Sequence, residues 1–352
     1  MKKILFLAVS AILLAAGCQK TEVLNPYVGD SMTFSAGMGK LTKADNLIDT
    51  PELQNQGFKT WVYAAYADQI NGVTVGKIHD RMEGIDVTYK NNAWGTTEEY
   101  FWPANEDDLD FFAVSTGRPW AQPAAGESSA VEGVSVTIVP VADTGNGVAA
   151  EVTTSTMTVN DYSVDSNAAA DDLMVAGFLR ADSKTYAKTV PLQFKHALSK
   201  VIFKFDTNPT EEGKVADVVS LQGLSLDAMS IAGDLTVNGP YNNLTLTWAP
   251  DADKTAVFSG TYTSDNVLSS TEKKTFATWL VIPQTLGEKM ATITYKINEK
   301  TFTYKFKLAI DNLTAWGPNQ VITYNINLSP NKITFAPVVD PWENVDDLSA
   351  NN

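Results

Sequence analysis

Val190-Pro191-Leu192-Gln193-Phe194-Lys195-His196-Ala197-Leu198-Ser199-Lys200-Val201-Ile202-Phe203-Lys204-Phe205 alternates apolar and polar side chains over most of its length and is dense in valine, isoleucine and phenylalanine. A surface helix would repeat its apolar residues three and four apart. Here they return every second residue, the period of a strand with one buried face. A proline is tolerated at the opening of a strand, so Pro191 agrees with this reading. Residues 193–205 are expected to form one long strand, opened by Val190-Pro191.

The same pattern recurs on both sides. Residues 31–38 place Met32, Phe34, Ala36 and Met38 on one face, and similar runs occupy 58–66, 109–114 and 134–139. Further runs cover 244–248, 276–282, 291–297, 301–308, 321–328 and 332–339, with Gly, Asn, Asp and Pro between them. Helical periodicity is almost absent after residue 30. Residues 122–129, rich in Ala, Gly and Ser, and residues 163–173 read as loops. Many short strands with long connections predict an all-β chain of two tandem β-sandwiches with little helix. The expected divisions are a leader at 1–17, a linker at 18–30, sandwiches at 31–188 and 189–330, and a C-terminal strand with an acidic tail at 331–352.

The composition narrows the function. The chain has 352 residues, 44% of them hydrophobic and 19% charged, which is enough apolar material for a buried core. Its 26 basic and 41 acidic side chains give a formal charge of -15, which phosphate backbones would repel, so no nucleic-acid partner is expected. Two histidines, His79 and His196, and one cysteine, Cys18, are too few for a Cys/His zinc site or an internal disulfide framework.

The start of the chain carries its own message. Met1-Lys2-Lys3, an apolar run from Ile4 to Leu14, and Ala15-Ala16-Gly17-Cys18 make a basic leader, a hydrophobic stretch too short to span a bilayer, and small residues ahead of a cysteine. This is the pattern of a bacterial lipoprotein signal, in which the Cys18 thiol is the nucleophile that takes the diacylglyceryl group. Ala15 stands where leucine is usual, three before the cysteine. Several acyl chains, at about 0.8 kcal/mol per buried methylene, make a stable anchor where one would not. The mature chain is then expected on the outer membrane, lipid-anchored and surface-exposed.

Several segments together resemble the fimbrillin family, the lipoprotein-precursor (type V) pilins of anaerobic Gram-negative bacteria. After the signal come Met32-Thr33-Phe34-Ser35-Ala36 and Thr42-Lys43-Ala44, similar to the family's Thr-Arg-Ala near the mature start. Trp94, Tyr100-Phe101-Trp102-Pro103 and Leu109-Asp110-Phe111-Phe112-Ala113 look like the family's aromatic block. Asp172-Leu173-Met174-Val175-Ala176, the 190–201 segment, Leu280-Val281-Ile282-Pro283-Gln284, Trp316-Gly317 and Tyr324-Asn325-Ile326 continue the order over nearly the whole chain. The resemblance implies transthyretin-like sandwiches, no catalysis and no cofactor, and a structural role in surface fimbriae that mediate adhesion. It also implies partners: other fimbrial subunits, alike or different, and a maturation protease. Cleavage beyond the first strand, here after Lys43 to leave Ala44, would open a groove for the C-terminal strand of another subunit. Lys43 stands in place of the family's arginine, which argues against an arginine-specific protease. The last strand holds Pro337, which fits only an edge or a bulge.

Other motifs have plainer readings. Asp143-Thr144-Gly145 spells an aspartic-protease tripeptide, but such enzymes need two carboxylates and no second copy exists, so a turn is expected. His196 is expected to be a hydrogen-bonded structural residue and His79 a solvated loop residue. The clusters Glu106-Asp107-Asp108, Asp171-Asp172 and Asp346-Asp347 lack EF-hand spacing and read as solvated loops rather than metal sites. Trp94, Tyr100, Trp102 and Trp120 could stack on sugar rings, but aromatic residues in sandwiches more often fill the core. An alternative function is therefore a monomeric outer-membrane surface lipoprotein that binds glycans.

Overall fold

The computed structural model describes residues 31–38, 50–70, 73–78, 82–102, 109–116, 135–139, 156–166, 171–181, 189–208, 217–239, 244–262, 266–329 and 332–342. Among them are one helix, α1 (Thr50–Gln56), and strands almost everywhere else. The strands of the first half are β1 (Thr33–Met38), β2 (Phe58–Ile70), β3 (Val73–Ile78), β4 (Ile85–Lys90), β5 (Ala93–Gly95), β6 (Leu109–Ser115), β7 (Ser135–Val139), β8 (Thr156–Ser163), β9 (Met174–Ala181) and β10 (Thr189–His196). The second half adds β11 (Ser199–Asp206), β12 (Val219–Leu226), β13 (Met229–Ser230), β14 (Ala232–Asn238), β15 (Thr245–Pro250), β16 (Thr255–Ala256) and β17 (Ser259–Thr261). It closes with β18 (Lys274–Val281), β19 (Gln284–Thr285), β20 (Met290–Ile297), β21 (Lys300–Lys307), β22 (Ala315–Trp316), β23 (Gln320–Ser329) and β24 (Lys332–Pro341).

The chain is all-β, as its alternation predicts. The first sheet runs β3-β2-β4-β5-β1-β10-β9-β6, and a further β2–β6 pairing closes the hydrogen-bonded neighbours into a ring. Inside lies an apolar core that includes Phe34, Phe58, Val62, Trp94, Trp102, Phe111 and Phe194. A second sheet, β15-β14-β8-β7, covers the outside of this ring. Trp61, Phe112, Val114 and Val175 pack there with Met157, Val159, Leu235 and Val237. Strand β6 is consequently buried on both faces at every residue. That is why Leu109-Asp110-Phe111-Phe112-Ala113-Val114 reads as a nearly continuous apolar run instead of an alternation.

The far sandwich packs β18-β11-β23-β24 on β17-β12-β20-β21. Phe203 stacks on Tyr324 with centroids 4.9 Å apart and meets Trp279 edge-on at 5.6 Å. The Tyr324 hydroxyl accepts from Trp316 Nε1 at 3.0 Å and donates to the Leu308 carbonyl at 2.8 Å, so its buried polar end is satisfied. Burial pushes its ionisation far above the ordinary tyrosine range.

Three expectations need correction or refinement. The short helix α1 was not anticipated; Gly57 ends it at φ 75°, its N–H bonded to the Leu53 carbonyl at 2.8 Å. A Cβ at Gly57 would lie 2.7 Å from the Val87 carbonyl oxygen. The single strand expected over 193–205 is two, β10 and β11, with the chain stepping between sheets at Ala197-Leu198. Backbone groups at the step find partners outside the two strands: Ala197 N–H donates to Leu173 O at 2.8 Å, its carbonyl accepts from Trp248 Nε1 at 2.7 Å, and Leu198 O accepts from Asn319 N–H at 3.1 Å. Finally, the sheets do not follow the 31–188 and 189–330 ranges strictly, since β10 pairs with β1 and β9 while β8 pairs with β14.

Candidate assembly site

Strand β1 occupies a slot in the ring between β10 and β5. It runs parallel to β10 over six residues, from Thr33 opposite Thr189 to Met38 opposite Phe194. Toward β5 it pairs only at Phe34 and Trp94, and the approach is held by Met32 N–H donating to Tyr100 O at 2.7 Å. Met32 and Phe34 are buried and Ala36 and Met38 are half-buried, all four packed against the ring's core, so the expected inward face is the observed one. Phe34 meets Phe111 at 6.2 Å and Phe58 at 6.5 Å, both edge-on. Trp94 Nε1 donates to the Ala36 carbonyl at 3.2 Å, and the Thr33 and Thr189 hydroxyls share a hydrogen bond of 2.8 Å. No residue of β1 is charged. The slot is therefore apolar within and lined by backbone donors and acceptors at its sides, which suits an uncharged strand with apolar residues at every second position.

The C-terminal strand has that composition. Between Lys332 and Asp340, β24 carries no charge and alternates Ile333, Phe335, Pro337 and Val339. It lies at the outer edge of its sheet, paired antiparallel with β23 alone from Ser329–Lys332 to Gln320–Pro341. Pro337 therefore sits at an edge, where its missing N–H costs no ladder bond. The strand is lightly covered, with Val338 44% and Val339 42% exposed. Beside its end a cleft of about 420 Å³ opens between Lys195, Leu244, Gln320 and Val339.

What holds that end down is Trp342, only 2% exposed. Its N–H donates to Asn319 O at 2.9 Å, and its indole lies flat on the imidazole of His196, with centroids 3.9 Å apart and planes 8° off parallel. His196 is 1% exposed and its Nδ1 is 2.7 Å from Oδ2 of Asp172, which is fully buried. A carboxylate on Nδ1 fixes the ring's orientation and presents its face to the indole.

His196 is thus the buried, hydrogen-bonded histidine expected of it. Asp172 is not the solvated loop residue expected, because it is the partner that makes burying His196 tolerable. Trp342 was not singled out at all, although an aromatic residue after Pro341 in an otherwise polar tail is a usable signal. Of the four aromatic residues that could stack on sugar rings, the three described form no exposed platform: Trp94 and Trp102 are buried and Tyr100 is half-buried. Cys18, Lys43, Ala44, His79, Trp120, Asp143-Thr144-Gly145, Glu106-Asp107-Asp108 and Asp346-Asp347 lie outside the described residues. Among the described residues no group of three or more His, Cys, Asp or Glu side chains could hold a metal ion, and no helix is long and apolar enough to cross a membrane.

Comparison with known proteins gives three findings. Residues 54–342 match the model of a family described as fimbrillin-like. No curated protein matches the chain. Among solved structures, a fimbrial protein from Bacteroides vulgatus superposes with a TM-score of 0.59 at 15% identity, covering 89% of this chain and 99% of that one. A candidate cell-adhesion protein from Bacteroides ovatus gives a TM-score of 0.47 at 13% identity, covering 91% of this chain and 99% of that one. The first of these shares the fold over almost its whole length.

Proposed function

Because the chain belongs to the fimbrillin-like family, we propose that it is a structural subunit of adhesive surface fimbriae, assembled by strand exchange after proteolytic maturation. It is exported as a lipoprotein acylated on Cys18, reaches the outer membrane, and is cut after Lys43, leaving Ala44 as the new N-terminus. The observation that carries this reading is the seat of β1: one short, uncharged strand fills an apolar slot, and a basic residue follows it in sequence. Loss of β1 opens the ring and bares two edges, and a second subunit supplies the replacement strand. A head-to-tail interface of that kind does not close on itself and so builds a filament. Burial of Met32 and Phe34, at about 1.5 to 3 kcal/mol for each, together with the half-buried Met38, is large beside a domain's net stability of about 5 to 15 kcal/mol. The empty slot is accordingly a strong acceptor.

Trypsin digestion of residues 19–352 should cut first between Lys40 and Asn46, and the trimmed protein should run as a ladder of oligomers. A variant with both Lys40→Gln and Lys43→Gln should stay monomeric under the same digestion. A stable monomer whose N-terminus is confirmed at Ala44 would sink strand exchange for this chain. Lipidation has its own test: Cys18→Ala should abolish acyl labelling and membrane retention of the precursor, and labelling that survives the change rules Cys18 out.

A further inference from the structure

We propose that the stack of Trp342 on His196 is an assembly lock, which keeps the C-terminal strand on its own subunit until β1 has left; the proposal rests on the strand-exchange reading. Strand β10 carries both ends of the device. Residues 189–194 of β10 are laddered to β1, whereas toward β9 the strand pairs only at Lys195–Val175 and His196–Met174. Two residues beyond the last β1 pair, Phe194 with Met38, stands His196, on which Trp342 rests. Removing β1 takes away the whole ladder along residues 189–194 of β10 and leaves its terminal histidine on a strand whose remaining ladder is two pairs with β9.

The other side of the lock is equally thin. Strand β24 has one neighbour, carries Pro337 and borders an open cleft; its first half is held by Ile333 and by Phe335, which stacks on Phe306 at 4.3 Å, whereas past Pro337 the buried indole is what anchors it. A strand end held by one ladder and one side chain opens at low cost when that side chain loses its seat, and the opening can spread inward from there. Asp172 makes the seat specific, since its hydrogen bond to Nδ1 sets the plane of the ring that the indole matches. Occupancy of the β1 slot and closure of the lock are therefore coupled, and such coupling acts equally in both directions. Untrimmed subunits keep both edges covered. Trimmed ones offer an open slot and a free strand together, the combination a growing chain end has to meet.

Hydrogen exchange followed by mass spectrometry on the whole chain tests this. In the untrimmed protein, Trp342→Ala should speed exchange in β24, and by reciprocity in β1 and β10, by a common factor of about 5 to 150, the usual size of coupling between sites. Trp342→Phe, which keeps a ring on the imidazole, should restore much of the protection. Trimming after Lys43 should speed exchange in β24, and adding a peptide of residues 31–38 should slow it again. Unchanged exchange in β1 and β10 on Trp342→Ala, or in β24 on trimming, overturns the lock. Gel ladders from the same samples separate the two ideas: ladders without any loosening of β24 sink the lock alone. Loosening without ladders supports the coupling and sinks strand exchange.

Discussion

Phe34→Ala should lower stability by about 3 to 5 kcal/mol, the usual cost of deleting a buried phenylalanine ring. The side chain is 5% exposed and touches aromatic neighbours from two other strands, Phe58 on β2 and Phe111 on β6. Phe58 is itself wedged between Trp94 and Phe194 at 5.1 Å from each, and Phe111 is held edge-on against Trp102 at 5.8 Å, so neither is free to collapse into the space. Ser35→Ala is the control: the residue is exposed on the opposite face of β1, and a change there should stay within about 0.5 kcal/mol. Urea denaturation of the two variants beside the parent measures the difference. Equal midpoints for Phe34→Ala and Ser35→Ala would mean that β1 does not sit in the slot with this face inward.

Asp172→Ala should be comparably costly, about 3 to 5 kcal/mol, because it strands a fully buried imidazole whose Nδ1 depends on that carboxylate. Asp172→Asn keeps a carbonyl oxygen able to accept from Nδ1–H and should cost nearer 1 kcal/mol. The same denaturation experiment decides, together with the near-ultraviolet signal of Trp342, whose environment is the stacked ring. If the alanine and asparagine variants fall together, the hydrogen bond to His196 is not what makes Asp172 matter.

Legibility in the sequence followed burial. Strands with one wet face, such as β1, β20 and β23, show the period of two plainly and lie within a residue or two of where that period places them. The step at Ala197-Leu198 was invisible, because both residues are apolar and completely buried, so the pattern runs through the point where the chain changes sheets. Helix α1, at seven residues, is too short to establish a periodicity and is held by its glycine cap and its contact with the core through Leu53. The β4–β5 hairpin depends on Asn91 and Asn92 at φ 53° and 62°, a two-residue turn that the Asn-Asn pair hints at without specifying the strands. The lock was legible only in part. His196 was picked out, but its partners lie 24 residues before it and 146 after it, and no local pattern joins positions so far apart. Acidic residues before a strand usually face water, and only the fold shows that Asp172 does not.

The parallel register of β1 and β10 bears on how a filament would carry load. Six consecutive residues pair in that ladder, and under the strand-exchange proposal a donor strand in the slot would be tethered to the neighbouring subunit by its end. Tension along such a filament would pull that strand lengthwise, against all of its pairs at once, instead of peeling them one after another. Rupture requires the whole ladder to shear while Phe34-like anchors are dragged out of their sockets. A short joint loaded in this way would resist fluid drag far better than its modest length implies, with no covalent bond between subunits.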